Sequence, residues 1–515
     1  MKLYSENKDY KLYNGTMLDM LEVIEPNSID SVITDPPYEL NFMSKSWDNS
    51  GIAFQPSTWQ KCYEVLKPGG YLLAFGGSRT FHRIACAIED AGFEIRDTIM
   101  WLYGSGFPKS MDISKQIDKK GGNDYSKQFA KDLKQARENR NLTMKYCDDK
   151  YCNSSTNWSW YEGRKDGCRV PDYQTYLEIV KDFPELEKYR ELIKEAEREI
   201  IGKKGYTADK NVMNIRNYTG ERVELDITIP STDLAKQWQG WGTALKPSFE
   251  PIIVARKPFK GSLVDNVIEN GVGGINIDEC RVENSNNEKL TRKLYDNPSW
   301  KNCSKAGQGS INDTSDRLGR FPANTILTYD ENDFDEVCGG FPYTKGDNRT
   351  TKQTYDKSIW GNAKSVESNC LYADSGSASR YFYCAKASKK DRDEGLDTFN
   401  KEKVNDGRNT PIDNAFQRGE TLRKNTHPTV KPTDLMQYLV RLVTPNNGTV
   451  LDPFNGSGST GKAVMYENKE RNKDYKYIGI ELTEEYLPIA KARIEYVCNL
   501  TQEQLKEQQM TIFDY

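Results

Sequence analysis

TVLDPFNGSGSTG, residues 449–461, reads as an apolar strand end that opens into a loop of small residues and then into a helix. Val450 and Leu451 supply the strand, and Asp452-Pro453 ends it. Gly456 and Gly458 permit dihedrals closed to other residues and let a ligand approach the backbone. A helix that starts behind such a loop aims its free N–H groups at that ligand. A plain tight strand-to-helix turn reads the same way, so the neighbours matter. Asp452 offers a carboxylate to a cationic ligand end. Glu481 closes the next strand, Tyr477-Ile478-Gly479-Ile480-Glu481, about 20 residues past the glycines, where an acidic residue takes ribose hydroxyls in dinucleotide-type folds. No Gly-Lys-Ser/Thr run is present, which argues against an NTP cradle.

The same alternation of strand and helix extends outward on both sides. Asp434–Val443, Gly461–Glu467 and Glu484–Val497 read as helices around the Val450–Leu451 and Tyr477–Glu481 strands. Near the N-terminus, Ile29–Thr34, Tyr71–Phe75 and Ile95–Leu102 read as strands. Thr58–Leu66, stopped by Lys67-Pro68-Gly69-Gly70, and Arg79–Ala91, stopped by Gly92, read as helices. This order predicts an α/β fold with a parallel, doubly wound sheet. Between the two ends, residues 121–205 are charged and helical, and Glu250–Arg256 is one more strand. Residues 259–425 are rich in Gly, Asn, Asp, Ser and Thr, with apolar islands at Thr325–Tyr329 and Arg380–Cys384, and read as irregular structure. The expected division is 1–120, 121–205, 206–258, 259–425 and 426–515.

The strand Ile29–Thr34 ends in Asp35-Pro36-Pro37-Tyr38. Asp35 and the Pro36 carbonyl can each accept a hydrogen bond from an exocyclic amine, and Tyr38 offers a ring face for stacking. The prolines hold both acceptors in one direction. An amine on a heteroaromatic ring is a poor nucleophile because its lone pair is delocalised. Two acceptors on its protons favour the pyramidal form, and proximity to an electrophile then contributes much of the rate. A Pro-rich turn is the plainer reading of the same four residues.

Composition narrows the class. The chain has 515 residues, 36% hydrophobic and 29% charged, enough for two or three folded units. It lacks a long apolar stretch, and Met1-Lys2-Leu3-Tyr4-Ser5 has no apolar h-region. A cytoplasmic location away from membranes is expected. Eleven cysteines without a Cys-x-x-Cys pair, and two histidines, His82 and His427, argue against a metal site. The net charge of −4 is compatible with a basic groove on an acidic outer surface.

With both loops in view, the chain resembles the beta group of DNA amino-methyltransferases, over about 1–115, 236–258 and 425–497. These enzymes transfer methyl from S-adenosyl-L-methionine to adenine N6 or cytosine N4, on a Rossmann-like sheet. The resemblance implies that 1–120 is the catalytic half, 206–258 returns to the sheet, 259–425 is the target-recognition region and 426–515 is the cofactor half. It implies base binding by Asp35, Pro36, Pro37 and Tyr38. Cofactor binding falls to Gly15, Thr16 and Asp19, to His427, Thr429 and Lys431, and to Asp452, Phe454, Asn455, Gly456, Ser457, Gly458, Thr460 and Glu481. Phe75-Gly76-Gly77-Ser78 and the Trp101 strand resemble the wall of the base pocket. The expected function is site-specific methylation of adenine N6 in double-stranded DNA by base flipping. Cytosine N4, or a DNA-binding regulator with an inactive body, are the alternatives. C5 methylation is disfavoured because no Pro-Cys nucleophile occurs. A restriction partner and a homodimer are left open.

Residues 127–183 resemble repressor-type helix-turn-helix domains. The resemblance places Trp158 and Tyr161 in a core and offers Asn157, Ser159 and Trp160 to DNA. A helical spacer is the alternative. In the recognition region Arg281, Arg317 and Arg320 are candidates for base or phosphate contact.

Overall fold

The computed structural model describes residues 1–40, 50–103, 110–120, 125–152, 158–163, 168–206, 223–282, 319–328, 343–344, 347–353, 366–372, 376–377, 382–384, 389–403 and 422–513. Contacts divide the chain into two compact units. One comprises Met1–Gly104, Ser248–Lys401 and Lys424–Tyr515, the other Ser105–Pro247 with Glu402–Arg423.

Ten strands of the first unit form one sheet. They are β1 (Lys2–Glu6), β2 (Tyr10–Asn14), β3 (Ile29–Thr34), β4 (Leu66–Phe75), β5 (Glu94–Tyr103), β6 (Phe249–Arg256), β7 (Thr325–Thr328), β8 (Tyr383–Cys384), β9 (Thr449–Asp452) and β10 (Lys476–Glu481). Their order is β1-β2-β10-β9-β3-β4-β6-β5-β7-β8. The centre, β2-β10-β9-β3-β4, is parallel. β6 inserts antiparallel between β4 and β5. Every residue of β3 is buried, the pattern of a strand covered on both faces.

Helices α1 (Pro56–Val65) and α2 (Phe81–Asp90) cover one face, where Trp59, Cys62, Val65, Ile84 and Ile88 pack on Val32, Leu72 and Ile253. On the other face α3 (Thr433–Val443), α4 (Ser459–Arg471) and α5 (Leu487–Asn499) bring Leu435, Leu439, Val464 and Ile494 onto Ile33, Leu73 and Val450. Each fully buried side chain of this size contributes about 1.5–3 kcal/mol, so the two layers fix the central strands.

Two expectations need correction. Lys67-Pro68-Gly69-Gly70 does not separate helix from strand; β4 already starts at Leu66. Gly69 donates to the Lys257 carbonyl and Lys257 donates to the Gly70 carbonyl, both at 2.9 Å, so β6 recruits this stretch into the sheet. The apolar islands of 259–425 are not isolated either. Thr325–Thr328 pairs with β5, and Tyr383–Cys384 extends the same edge. Short apolar runs found partners that sequence spacing did not reveal.

The second unit is mostly helical, with Ile113–Lys119, Tyr125–Asn139, Met144–Tyr151, Trp158–Tyr161, Tyr173–Asp182 and Arg190–Glu195, but the end of the segment expected to be helical is a strand, Ile200–Tyr206, paired antiparallel with Val223–Thr228. Thr143 caps its helix by accepting from the Tyr146 N–H at 3.2 Å. Phe129, Leu133, Trp158, Tyr161, Tyr176 and Phe183 form its core.

Candidate active site

The carboxyl ends of β3 and β9 lie side by side, with Ser31 opposite Val450 and Val32 opposite Leu451. The chain leaves β3 toward β4 on one side and leaves β9 toward β10 on the other. Such a divergence opens a crevice beyond the strand ends. The two motif loops therefore meet: Thr34 Oγ1 donates to Asp452 Oδ1 at 2.7 Å across 418 residues. The other Asp452 oxygen takes Thr460 Oγ1 at 2.6 Å, and the Phe454 N–H reaches Oδ1 at 3.1 Å. Burial raises the Asp452 carboxyl to about 6, against the pull of these donors. Asp452 thus braces the loop from inside.

Asp35 leaves β3 toward the crevice. Its Oδ2 accepts from Lys431 Nζ at 2.6 Å, whereas Oδ1 is buried and has no hydrogen-bond partner among the described residues. A buried acceptor without a donor is costly, and this one can take a proton donor that enters the crevice. Burial pushes the Asp35 carboxyl up; the Lys431 charge opposes that and Glu250 adds to it. Tyr38 donates its hydroxyl to Glu250 Oε2 at 2.8 Å, and Tyr103 donates to Oε1 at 3.4 Å. Lys431 lies 3.5 Å from Glu250 and faces the rings of Tyr38 and Phe75 at 5.3 and 4.9 Å. Burial works against its ammonium, but Asp35 and Glu250 hold its pKa above the ordinary value.

The glycine loop is built for close approach. Gly456 and Gly458 have φ of +51° and +75°. A Cβ on Gly456 would come within 2.8 Å of His427 Nε2, and one on Gly458 within 3.0 Å of Ala490. His427 Nδ1 lies 2.9 Å from the Thr429 carbonyl, so the proton sits on Nδ1 and Nε2 turns its lone pair toward the loop. Burial lowers His427 to about 3, which keeps it neutral. Glu481 receives the Gly456 N–H on Oε2 at 2.6 Å and the Thr483 N–H on Oε1 at 2.8 Å. A carboxylate accepts about four bonds, so capacity for hydroxyls remains. Asn455 is buried, bonded to the Tyr477 hydroxyl at 2.7 Å. Ser457 is held by Arg493, while Phe454 leans on Trp59 at 6.4 Å.

Of the remaining expected residues, Gly15 donates to the Glu481 carbonyl at 3.0 Å, which brings it to the end of β10. Thr16 caps the turn Met17–Glu22, and Asp19 is exposed on that turn. Pro36 and Pro37 follow Asp35 directly, and Thr429 is exposed beside His427. Trp158 and Tyr161 are buried, as the sequence suggests. Trp160 is half-buried, with the Arg169 guanidinium 4.2 Å over its ring, and Ser159 is half-buried. Arg281 pairs with Asp278 at 2.9 Å and lies apart from the motif loops in sequence, as does Arg320, whose backbone pairs with Val282. Asn157 and Arg317 lie outside the described residues.

Sequence reasoning passed over Glu250, Tyr103 and Thr34. The signal was present for Glu250: an acid at the head of the otherwise apolar strand Phe249–Arg256. It also passed over Lys389–Asp393. There Asp391 takes Lys462 Nζ at 2.6 Å and the Thr433 N–H at 2.8 Å, and Arg392 donates to the His427 carbonyl at 2.6 Å.

A profile of the family described as DNA methylase, of the N6/N4 methyltransferase type, matches residues 29–492. The type II methyltransferase M.HpaI of Haemophilus parainfluenzae is 33% identical over 116 residues, 21% of this chain and 37% of that protein. The type II methyltransferase M2.LlaDCHI of Lactococcus lactis subsp. cremoris is 40% identical over 120 residues, 19% of this chain and 44% of that protein. The matches thus span less than half of either relative. The solved PvuII DNA methyltransferase (cytosine-N4-specific) aligns over 97% of this chain and 90% of its own, at 11% identity and a TM-score of 0.34.

Proposed function

The chain belongs to the N6/N4 DNA methylase family, and from that premise we propose that it is a site-specific DNA methyltransferase of the beta group, acting on adenine N6 in duplex DNA. The observation that carries the reading is the meeting of the two loops at Thr34 and Asp452, with the free Asp35 Oδ1 beside them.

The donor is S-adenosyl-L-methionine. The residues present fit it: the loop at Gly456 leaves no room for a side chain, and Glu481 keeps acceptor capacity. Glu481 and Gly15 would hold the ribose, the Phe454–Gly458 backbone the middle, and His427 and Thr429 the amino-acid end. Bound there, the cofactor supplies an electrophilic methyl group.

This chain's residues do the rest. Tyr38 stacks the base that has left the duplex, whose unstacking costs a few kcal/mol. Asp35 Oδ1 and the Pro36 carbonyl accept the two amine protons and hold the nitrogen pyramidal. As the nitrogen gains positive charge, the two carboxylates Asp35 and Glu250, balanced by one Lys431, favour it. One proton then leaves along the Asp35 bond. Asp in first place before Pro-Pro-Tyr favours adenine over cytosine, by resemblance.

Trp158 and Tyr161 in the helical core support reading residues 127–183 as a helix-turn-helix-like module that adds DNA affinity. We place Ser159, Trp160, Asn157, Arg281, Arg317 and Arg320 at the DNA, and the protein in the cytoplasm with duplex DNA as its partner. Among the described residues no helix is long and apolar enough to cross a membrane.

Labelled methyl groups should move from the cofactor to duplex DNA. Genomic DNA from a methylation-free host expressing the chain should carry N6-methyladenine at one defined sequence. N4-methylcytosine instead would replace the base assignment, and absence of label in DNA would overturn the reading.

A further inference from the structure

The described structure holds two carboxylates and one ammonium at the mouth of the Asp-Pro-Pro-Tyr loop. Lys431 Nζ lies 2.6 Å from Asp35 Oδ2 and 3.5 Å from Glu250 Oε2. Glu250 Oε2 also receives the Tyr38 hydroxyl at 2.8 Å. The three charged residues come from three distant segments: the end of β3, the start of β6 and the approach to α3. Lysine side chains are long and rotate freely, so a lone Lys431 beside Asp35 would be free to bridge both carboxylate oxygens. A second carboxylate on its far side draws the ammonium to one edge of Asp35. That leaves Oδ1 without a hydrogen-bond partner among the described residues.

Resting on the methyltransferase reading, we infer that Glu250 is a positioning residue: it anchors Tyr38 through its hydroxyl and draws Lys431 to one side, so that Asp35 Oδ1 stays open to the substrate amine. Glu250 takes the Tyr38 hydroxyl and lies 3.5 Å from Lys431, so it positions the site through those two residues while its charge is also felt at Asp35. The geometry gives it two separable duties. The bond to Tyr38 fixes the angle of the stacking ring, and an amide oxygen could perform it. The pull on Lys431 needs a charge, and an amide could not.

The charge also acts on titration. The groups facing Asp35 are Lys431, Glu250, Tyr38 and Asp452, with Tyr103 behind Glu250. Burial raises the Asp35 carboxyl most, and Glu250 raises it further while Lys431 lowers it. Asp35 must be ionised to accept the amine proton, so its protonation sets the acid limb of turnover. Removing the Glu250 charge lets Asp35 keep its charge to lower pH.

The test compares Glu250→Gln and Glu250→Ala with the wild-type chain, using methyl transfer to unmethylated duplex DNA carrying the target sequence. For Glu250→Gln the KM for DNA should stay within about twofold of wild type, because Tyr38 keeps an acceptor. Its kcat should fall, because Lys431 then spreads over both Asp35 oxygens. Its acid limb should move to lower pH. Glu250→Ala should raise the KM for DNA as well, roughly fivefold or more if one stacking contact is lost. A Glu250→Gln variant whose acid limb coincides with wild type overturns the inference, even if its kcat is low, since a structural role would lower kcat without moving the limb. Glu250→Gln is close in shape to the native residue and stays informative if Glu250→Ala does not fold. Wild type that transfers no methyl to DNA would overturn the function and the inference together. Wild type that does, with an unmoved limb in Glu250→Gln, would remove the inference alone.

Discussion

Asp452→Asn should change how stability depends on pH, by an amount that the structure sets. The Asp452 side chain is 3% exposed, and its carboxyl titrates at about 6 in place of 3.8. The folded state therefore holds the proton more tightly than the unfolded chain. The stability this provides is complete below about pH 4 and is lost as pH rises through 6. The whole shift is worth about 3 kcal/mol, and the part lost between pH 5 and pH 7 is about 1 kcal/mol. Asparagine keeps the shape, removes the titration and still pairs with the Thr34 and Thr460 hydroxyls, which donate or accept. Urea midpoints of wild type and Asp452→Asn, each at pH 5 and pH 7, give the double difference, in which other titrating groups cancel. Wild type should lose about 1 kcal/mol more than the variant between the two pH values. A double difference near zero, or of opposite sign, would refute the account of Asp452 as a buried brace. Asp452→Ala is the harsher change. It strands three donors at about 1–3 kcal/mol each, against about 3 kcal/mol regained by not burying the charge. It should destabilise at neutral pH, where Asp452→Asn should not.

Other substitutions probe separate parts of the site. His427 is held neutral down to about pH 3. It therefore lends stability above pH 6.5 that is lost as pH falls toward 3, and His427→Gln should flatten that decline in acid unfolding curves. Gly456→Ala forces an L residue to φ +51° and sets its Cβ 2.8 Å from His427 Nε2. The strain of at least about 1–2 kcal/mol should weaken cofactor affinity about tenfold by calorimetry and leave DNA binding intact. Asp35→Ala should abolish methyl transfer while cofactor binding is kept; retained turnover would count against its role. Tyr38→Ala should cost about 1–3 kcal/mol of base stacking, read as weaker binding of DNA with an unpaired target base.

The helices and strands around the two motif loops were legible in sequence because their signals are local. Ile29–Thr34, Phe249–Arg256 and Lys476–Glu481 fall within a residue or so of the strands expected from apolar runs. Gly92 ends a helix where it was expected, at φ +102°. Lys67-Pro68-Gly69-Gly70 reads as a stop in sequence, yet it joins the sheet because its backbone pairs with Lys257, far along the chain. Lys431 was expected among the cofactor residues, from the motif around it. Its place between Asp35 and Glu250 follows from charge pairing that sequence proximity does not encode.

By itself, then, the sequence determined the two loops, since proline, glycine and an acid after an apolar run dictate local backbone and local chemistry. Tertiary structure decided what each carboxylate does. Asp452 turned inward onto Thr34 and Thr460, Glu481 took the Gly456 amide, and Asp35 kept one oxygen open. The physical reason is burial: taken out of water, a carboxylate must find donors, and those donors come from whichever strands and loops the sheet brings alongside.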